Sequence, residues 1–466
     1  MKLRLAIAAL DHHDKQKHED DIKQGAIRVV LSILRSCSPF FIAKSEQVKS
    51  CCIIFLQLYR CSQERARASF CTDGSTLIAT LLEVIEINYR LGKLGDPKCL
   101  FLSKDVIDKL LDVARVPLTM VSNNDDLVSS LVSNINGASG KFVMHLSMKC
   151  IASLSEHVEN KQVMLVIPGL LRAVEVGSRH TDHSVREEAA RILMNLAWET
   201  KNKSKILCSS VKAILTMVED DGYMTSQSYA LQTLGHLTTL TANKIHLVDH
   251  KNGAIIRILM QIASSDVSQA SASINATEII GYLICRATAL KVGSIPGLFT
   301  TLSSLACRPD GLAPVAAKAI HKMATYIHYH PKLEEKTIDH ESIHTSMLQA
   351  IVTMSYGKTS GVLKYACKAY AEQVPFRHDR IQMIGHKGLL SALSMLTHDE
   401  NNYVNECAKE VLISIACDVA EARKTSVEKL LRCVARKSNT LMQPRCYSPT
   451  SVMDEFHFDA DFESFC

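Results

Sequence analysis

A spacing of about forty residues recurs through most of this chain and limits what it can become. In "EEAARILMNLA" (187–197) the small residue Ala189 is followed by Leu193 and Leu196. Offsets of four and seven place all three on one face of a helix. The same small–apolar–apolar frame returns as Ala230, Leu234, Leu237, as Ala276, Ile280, Leu283, and as Ala316, Ile320, Met323. It continues as Ala366, Tyr370, Gln373 and as Ala408, Leu412, Ile415. Toward the N-terminus looser copies read Ser147, Ile151, Leu154, then Val106, Leu110, Val113, then Cys51, Phe55, Leu58. Successive anchors lie 55, 41, 42, 41, 46, 40, 50 and 42 residues apart, too even for a string of unrelated domains.

A second signal precedes the frames by about twenty residues. It reads "GAIRVVLSIL" from Gly25, "GSTLIATLL" from Gly74, "IPGLLRAV" from Ile167, "GAIIRILMQI" from Gly253, "GSIPGLFTTL" from Gly293 and "GLLSALSML" from Gly388. Glycine accepts the positive φ that ends one helix, and the apolar run starts the next. Each unit is therefore expected to hold a short polar helix, a glycine turn, a long apolar helix, a loop, and the helix carrying the frame. With 47% hydrophobic but only 5% aromatic residues, the composition suits stacked helices better than strands.

These features resemble the armadillo repeat, a three-helix unit of about this length. The resemblance covers residues 1–436 and is strongest at "VREEAARILMNLAWETKNKSKIL" (185–207) and "GHKGLLSALSMLTHDENNYVNECAKEVLISIA" (385–416). HEAT repeats are the near alternative. Residues 60–140 are less regular: "EINYRLGKLGDPKCL" reads as an insertion, and "SNNDDLVSSLVSNINGASG" as loop around a short helix. The fold implied is all-α, a right-handed α-solenoid of about nine to ten three-helix armadillo-like repeats. "LRLAIAALDHHDKQKHEDDIKQGAI" reads as the last helix of one unit followed by the first of the next, so the chain is expected to start inside a repeat. After Arg436 the helical pattern stops, and 437–466 is expected to be a disordered tail ending in alternating acids and phenylalanines.

Charge and cysteine usage narrow the function. Lys plus Arg number 53 against 48 acidic residues, a formal net charge of +5, so no strong field draws the chain to nucleic acid. No apolar run approaches the ~20 residues of a membrane span. "MKLRLAIAAL" runs at once into "DHHDKQKHEDD", which argues against a signal peptide. Sixteen cysteines form no C-x-x-C pair and suit small buried side chains in a reducing compartment, the cytoplasm and also the nucleus.

The stretch most like chemistry is "HESIH" (340–344), since H-E-x-x-H on one helix holds zinc with the glutamate as base. Repeat phase aligns it with "HKNGAIIRILMQI" and places a turn between His340 and His344, which would separate the imidazoles. His180 with His183 and His328 with His330 have loose metal spacing but no partners. No phosphate-cradling loop or nucleophile elbow occurs. The expectation is a non-enzyme with neither metal nor cofactor.

In a solenoid, function lies along the concave face lined by the third helices. Two residues after each anchor this face carries Lys149, Arg191, Gln232, Glu278, Lys318, Lys368 and Glu410. Six residues after it stand Ser153, Asn195, His236, Tyr282, Lys322, Glu372 and Ser414. Resemblance to importin-α-like arrays implies that an asparagine at the second position clamps a peptide backbone. Asn195 alone matches, and the tryptophan expected at the first position is replaced by Arg191. The residues expected to bind protein are Lys149, Arg191, Asn195, Gln232, His236, Tyr282, Lys318, Lys322 and Lys368. The reading is a scaffold or adaptor for extended or acidic-aromatic peptide segments. An import adaptor for basic cargo is the first alternative and a zinc peptidase the second. The chain's own tail is a further expected occupant, near Lys318, Lys322 and Lys368.

Overall fold

A computed structural model describes residues 124–136, 141–220, 224–265, 270–327 and 339–422. The frames at Cys51 and Val106, the turns at Gly25 and Gly74, the start inside a repeat, the histidines of "IHYHP" and the tail lie outside the described residues. Among the described residues all regular structure is helical, with eighteen α-helices and one short 3-10 turn. The chain divides into two compact units, Met1–Asn243 and Lys244–Cys466.

The first unit holds α1 (Asn124–Asn136), α2 (Lys141–Glu156), α3 (Val158–Met164), α4 (Leu170–Ser178), α5 (His183–Ala197), α6 (Lys203–Val218) and α7 (Met224–Leu237). The division falls within α8 (Thr241–Asp249). The second unit continues with α9 (Ala254–Ala263), α10 (Ala270–Leu283), α11 (Ala289–Gly293), α12 (Leu298–Ala306) and α13 (Leu312–Tyr326). Its remaining described helices are α14 (His340–Ser355), α15 (Ser360–Gln373), α16 (Arg377–Gly385), α17 (Leu389–Leu396) and α18 (Asn402–Ala422).

The frame sets the layering. All twenty-one frame residues from Ser147 to Ile415 are buried, none more than 5% exposed. Helices bearing successive frames lie side by side, α2 with α5 and α5 with α7 in the first unit. In the second the row runs α10, α13, α15, α18. The apolar second helices form a parallel layer, α1, α4, α6 in one unit and α9, α12, α14, α17 in the other. Small anchors such as Ala189 and Ala230 let neighbouring frame helices approach, and the Leu-type residues fill the space between layers. This is the three-helix layering of an armadillo-type repeat solenoid.

Local chemistry starts and stops the helices. Asp182 accepts from the Ser184 amide at 3.0 Å and caps α5. Gly169, Gly253, Gly297 and Gly388 stand at φ 81°, 78°, 80° and 85° at the entrances to α4, α9, α12 and α17. Only glycine adopts that conformation without strain. In "GSIPGLFTTL" the turn residue is thus Gly297, and the expectation at Gly293 is corrected: Gly293 ends α11, and the Ile295-Pro296-Gly297 bend turns the chain.

Two units depart from the short-helix, glycine-turn plan. Lys203–Val218 and His340–Ser355 each run sixteen residues unbroken, because neither contains a glycine or proline to interrupt the helix. The expected break inside "HESIH" is therefore wrong. Asp339 caps the helix by accepting from the Ser342 amide at 3.1 Å, and His340 and His344 lie on one continuous α14. No described helix is long and apolar enough to cross a membrane.

Candidate functional site

On the third-helix face of the first unit Arg191 pairs with a carboxylate of its own helix and reaches the neighbouring frame helix. Arg191 Nη2 sits 3.1 Å from Glu188 Oε2 and donates to Ser153 Oγ at 3.3 Å. Burial pushes the Glu188 carboxyl up, against the pull of Arg191 and, more weakly, Lys149. Gln232 donates to Ser228 Oγ at 3.5 Å within its own helix. Asn195, the one match to a peptide clamp, turns its amide inward. Its Nδ2 donates to Ser155 Oγ at 2.9 Å and to the Ala152 carbonyl at 3.3 Å. That amide joins α5 to α2, so a peptide would have to displace both bonds to use it.

His236 lies in a more polar recess. Its ring meets Trp198 edge-to-face with centroids 5.0 Å apart, and the Lys161 ammonium lies 5.5 Å from the Trp198 centroid. Lys203 donates to Thr239 Oγ1 at 2.7 Å. Burial, then the charges of Lys203 and Lys161, push His236 down to about 4, so the imidazole is neutral at physiological pH. Trp198 keeps 40% of its surface exposed beside these buried groups.

In the second unit, Tyr282 on α10 and Lys322 on α13 meet across adjacent third helices. The Lys322 ammonium stands 5.8 Å from the Tyr282 centroid and donates to the Gly281 carbonyl at 3.2 Å. Burial, followed by the like charges of Lys244 and Lys318, pushes Lys322 down to about 8. Glu278 beside Lys318 is pushed up by burial, with Lys318 opposing. One helix further, Lys368 lies 5.9 Å from the Tyr365 centroid, and Glu372 stands 3.8 Å from His321. Glu410 and Lys318 are exposed. The face thus gathers Tyr282, Lys318 and Lys322 in one place and Lys149 with Arg191 in another.

The apolar frame gave no hint of a third set. Asn160-Lys161, Asn202-Lys203 and Asn243-Lys244 repeat at intervals of 42 and 41 residues. Each asparagine amide donates to the carbonyl of the last frame residue before it: Asn160 to Leu154 at 2.8 Å, Asn202 to Leu196 at 3.1 Å, Asn243 to Leu237 at 3.1 Å. A helix leaves its final carbonyls without partners, and this amide supplies one. The lysine that follows is thereby carried toward the third-helix face. The repeated dipeptide was the signal available in the sequence.

The imidazoles of "HESIH" point to different surroundings. His340 is exposed, whereas His344 is buried with Nε2 2.9 Å from Gln373 Oε1 and 3.4 Å from Asp379 Oδ1. Gln373 Nε2 in turn donates to the Ala324 carbonyl at 3.0 Å. His344 therefore links α14, α15, α16 and α13. His180 Nδ1 accepts from the Asp182 amide at 3.0 Å, a local turn contact. Among the described residues no cluster of three or more His, Cys, Asp or Glu is placed to hold a metal ion.

No protein-family model matches the chain, and no curated relative matches it. Among solved structures it is similar to an engineered protein at 16% identity and TM-score 0.51, over 89% of this chain and 99% of that one. That likeness bears on the fold alone. A computationally designed armadillo repeat protein for modular peptide recognition aligns at 14% identity over 62% of this chain and 99% of its own, with TM-score 0.32.

Proposed function

We propose that this chain is a non-catalytic scaffold whose third-helix face receives extended segments of other proteins. The observation that supports it most is the meeting of Lys322 and Tyr282 across two adjacent third helices, with the charges of Lys244 and Lys318 bearing on the same ammonium. Cationic, aromatic and hydrogen-bonding groups brought together from successive repeats are what an extended peptide needs for register. The frame residues behind them are buried and fix the supporting backbone.

Import of basic cargo is the weaker reading, because a basic signal would meet Lys318, Lys322 and Lys368 on this face. A zinc peptidase is weaker again, since His344 is engaged with Gln373 and Asp379.

The test is selection from a displayed random-peptide library against the purified chain lacking residues 450–466, with affinities of enriched peptides measured by fluorescence anisotropy. The scaffold reading expects enriched sequences that bind in the micromolar range or better. A flat library after several rounds would defeat it, and enrichment of lysine-rich peptides would favour the import alternative.

A further inference from the structure

In the second unit two further ammonium groups bear on the half-buried Lys322. Lys322 is half-buried over Tyr282, and both Lys244, from the Asn-Lys dipeptide, and Lys318, one turn back on α13, bear on it. Glu278 lies beside Lys318, and the Cys285 thiol also faces Lys322. A half-buried ammonium with like charges beside it is stabilised by an anion that enters among them.

We propose that this cluster is a binding site for an acidic-aromatic segment and that its resident occupant is the chain's own "DEFHFDADFESFC" (454–466). The inference rests on the scaffold reading and names a ligand for that face. Three observations support this occupant. The segment carries five acidic residues and four phenylalanines, matching ammonium groups set beside the half-exposed rings of Tyr282 and Tyr365. Aromatic rings stack on tyrosine while carboxylates pair with lysine, so alternation of the two types fits alternating partners. Reach is ample as well. The 31 residues between Ala422 and Asp454 span up to roughly 100 Å when extended. The row from α18 through α15 to α13 is only about 20 Å across at ordinary helix spacing. Tethering also gives the segment an effective concentration in the millimolar range.

Binding is pH-dependent in a defined direction. The groups facing Lys322 are Lys244, Lys318, Cys285 and Tyr282, and Glu372, on the next helix, pairs with His321. A carboxylate entering the cluster favours the charged lysine, so affinity is greatest below pH 8 and declines as pH rises through it.

The experiment uses a fluorescent peptide of residues 452–466 titrated into three proteins: the full chain, the chain lacking residues 450–466, and that shortened chain with Lys318→Glu and Lys322→Glu. Circular dichroism checks that each is folded. The shortened chain is expected to bind at least tenfold more tightly than the full chain, whose own segment competes. The charge-reversed protein is expected to lose at least tenfold, as is the shortened chain tested with a peptide in which the phenylalanines are alanine. Equal binding by the full and shortened chains overturns the intramolecular occupant. Binding indifferent to the two charge reversals or to loss of the phenylalanines overturns the site. If library peptides bind the shortened chain and this segment does not, the inference fails while the scaffold reading stands.

Discussion

A neutral imidazole held beside two ammonium groups has a thermodynamic signature. His236 titrates at about 4 in the folded chain and near 6.5 when unfolded, so between those values the unfolded state binds the extra proton. Stability is therefore full above pH 6.5 and declines as pH falls toward 4, with a contribution of about 3 kcal/mol from this residue. Urea midpoints of the natural chain and of His236→Gln, measured at pH 7 and pH 5, check this. The variant is expected to lose less stability on acidification. Leu193 belongs to a different kind of site, the apolar layer, where it is fully buried. Leu193→Ala is expected to cost about 2–5 kcal/mol by chemical denaturation. Leu193 was legible in the sequence because its spacing to Ala189 and Leu196 is helical. The inward turn of Asn195 was not, since its partners Ala152 and Ser155 sit about forty residues earlier on another helix.

At the level of elements, helix boundaries follow single residues. Gly388 adopts φ 85° at the entrance to α17, and a Cβ there would meet only Val352 Cγ1, at 3.8 Å. With space available, Gly388→Ala pays in backbone strain alone, about 1–2 kcal/mol. Gly385, which ends α16 without a positive φ, serves as the control and is expected to tolerate alanine. Asp339→Ala removes the cap of α14 and is expected to destabilise it by about 1 kcal/mol, read as faster amide exchange at Ser342 and Ile343. The repeat period located the glycine turns at Gly253 and Gly388 correctly. It erred at "HESIH", because alignment to a neighbouring unit presumed a turn where no residue in 340–355 supplies one. Period reports the average unit, whereas a fused helix depends on what one unit lacks. The Asn-Lys dipeptide stands apart from the period for a related reason: its asparagines satisfy carbonyls at helix ends, a role outside apolar periodicity.

Across the molecule, fold and function stand on different footings. The fold was largely readable, since each three-helix layer needs buried residues at fixed spacing and leaves them in the sequence. The face is harder to read, because what gathers there comes from three helices of two types: Lys244 from a first helix, Tyr282 and Lys322 from two third helices. Salt dependence follows from this composition. Binding of acidic peptides to the second unit is expected to weaken severalfold between 50 and about 300 mM salt, because partly exposed lysines are screened over a Debye length of about 8–10 Å. The central claim is that partners occupy the third-helix face. The most direct measurement is carboxylate-to-lysine cross-linking of a selected peptide to the chain, followed by mass spectrometry. The account predicts links at Lys318, Lys322 or Lys368, on third helices. Links confined to Lys212 of α6 or Lys387 at the entrance to α17, with none on the third helices, would contradict it.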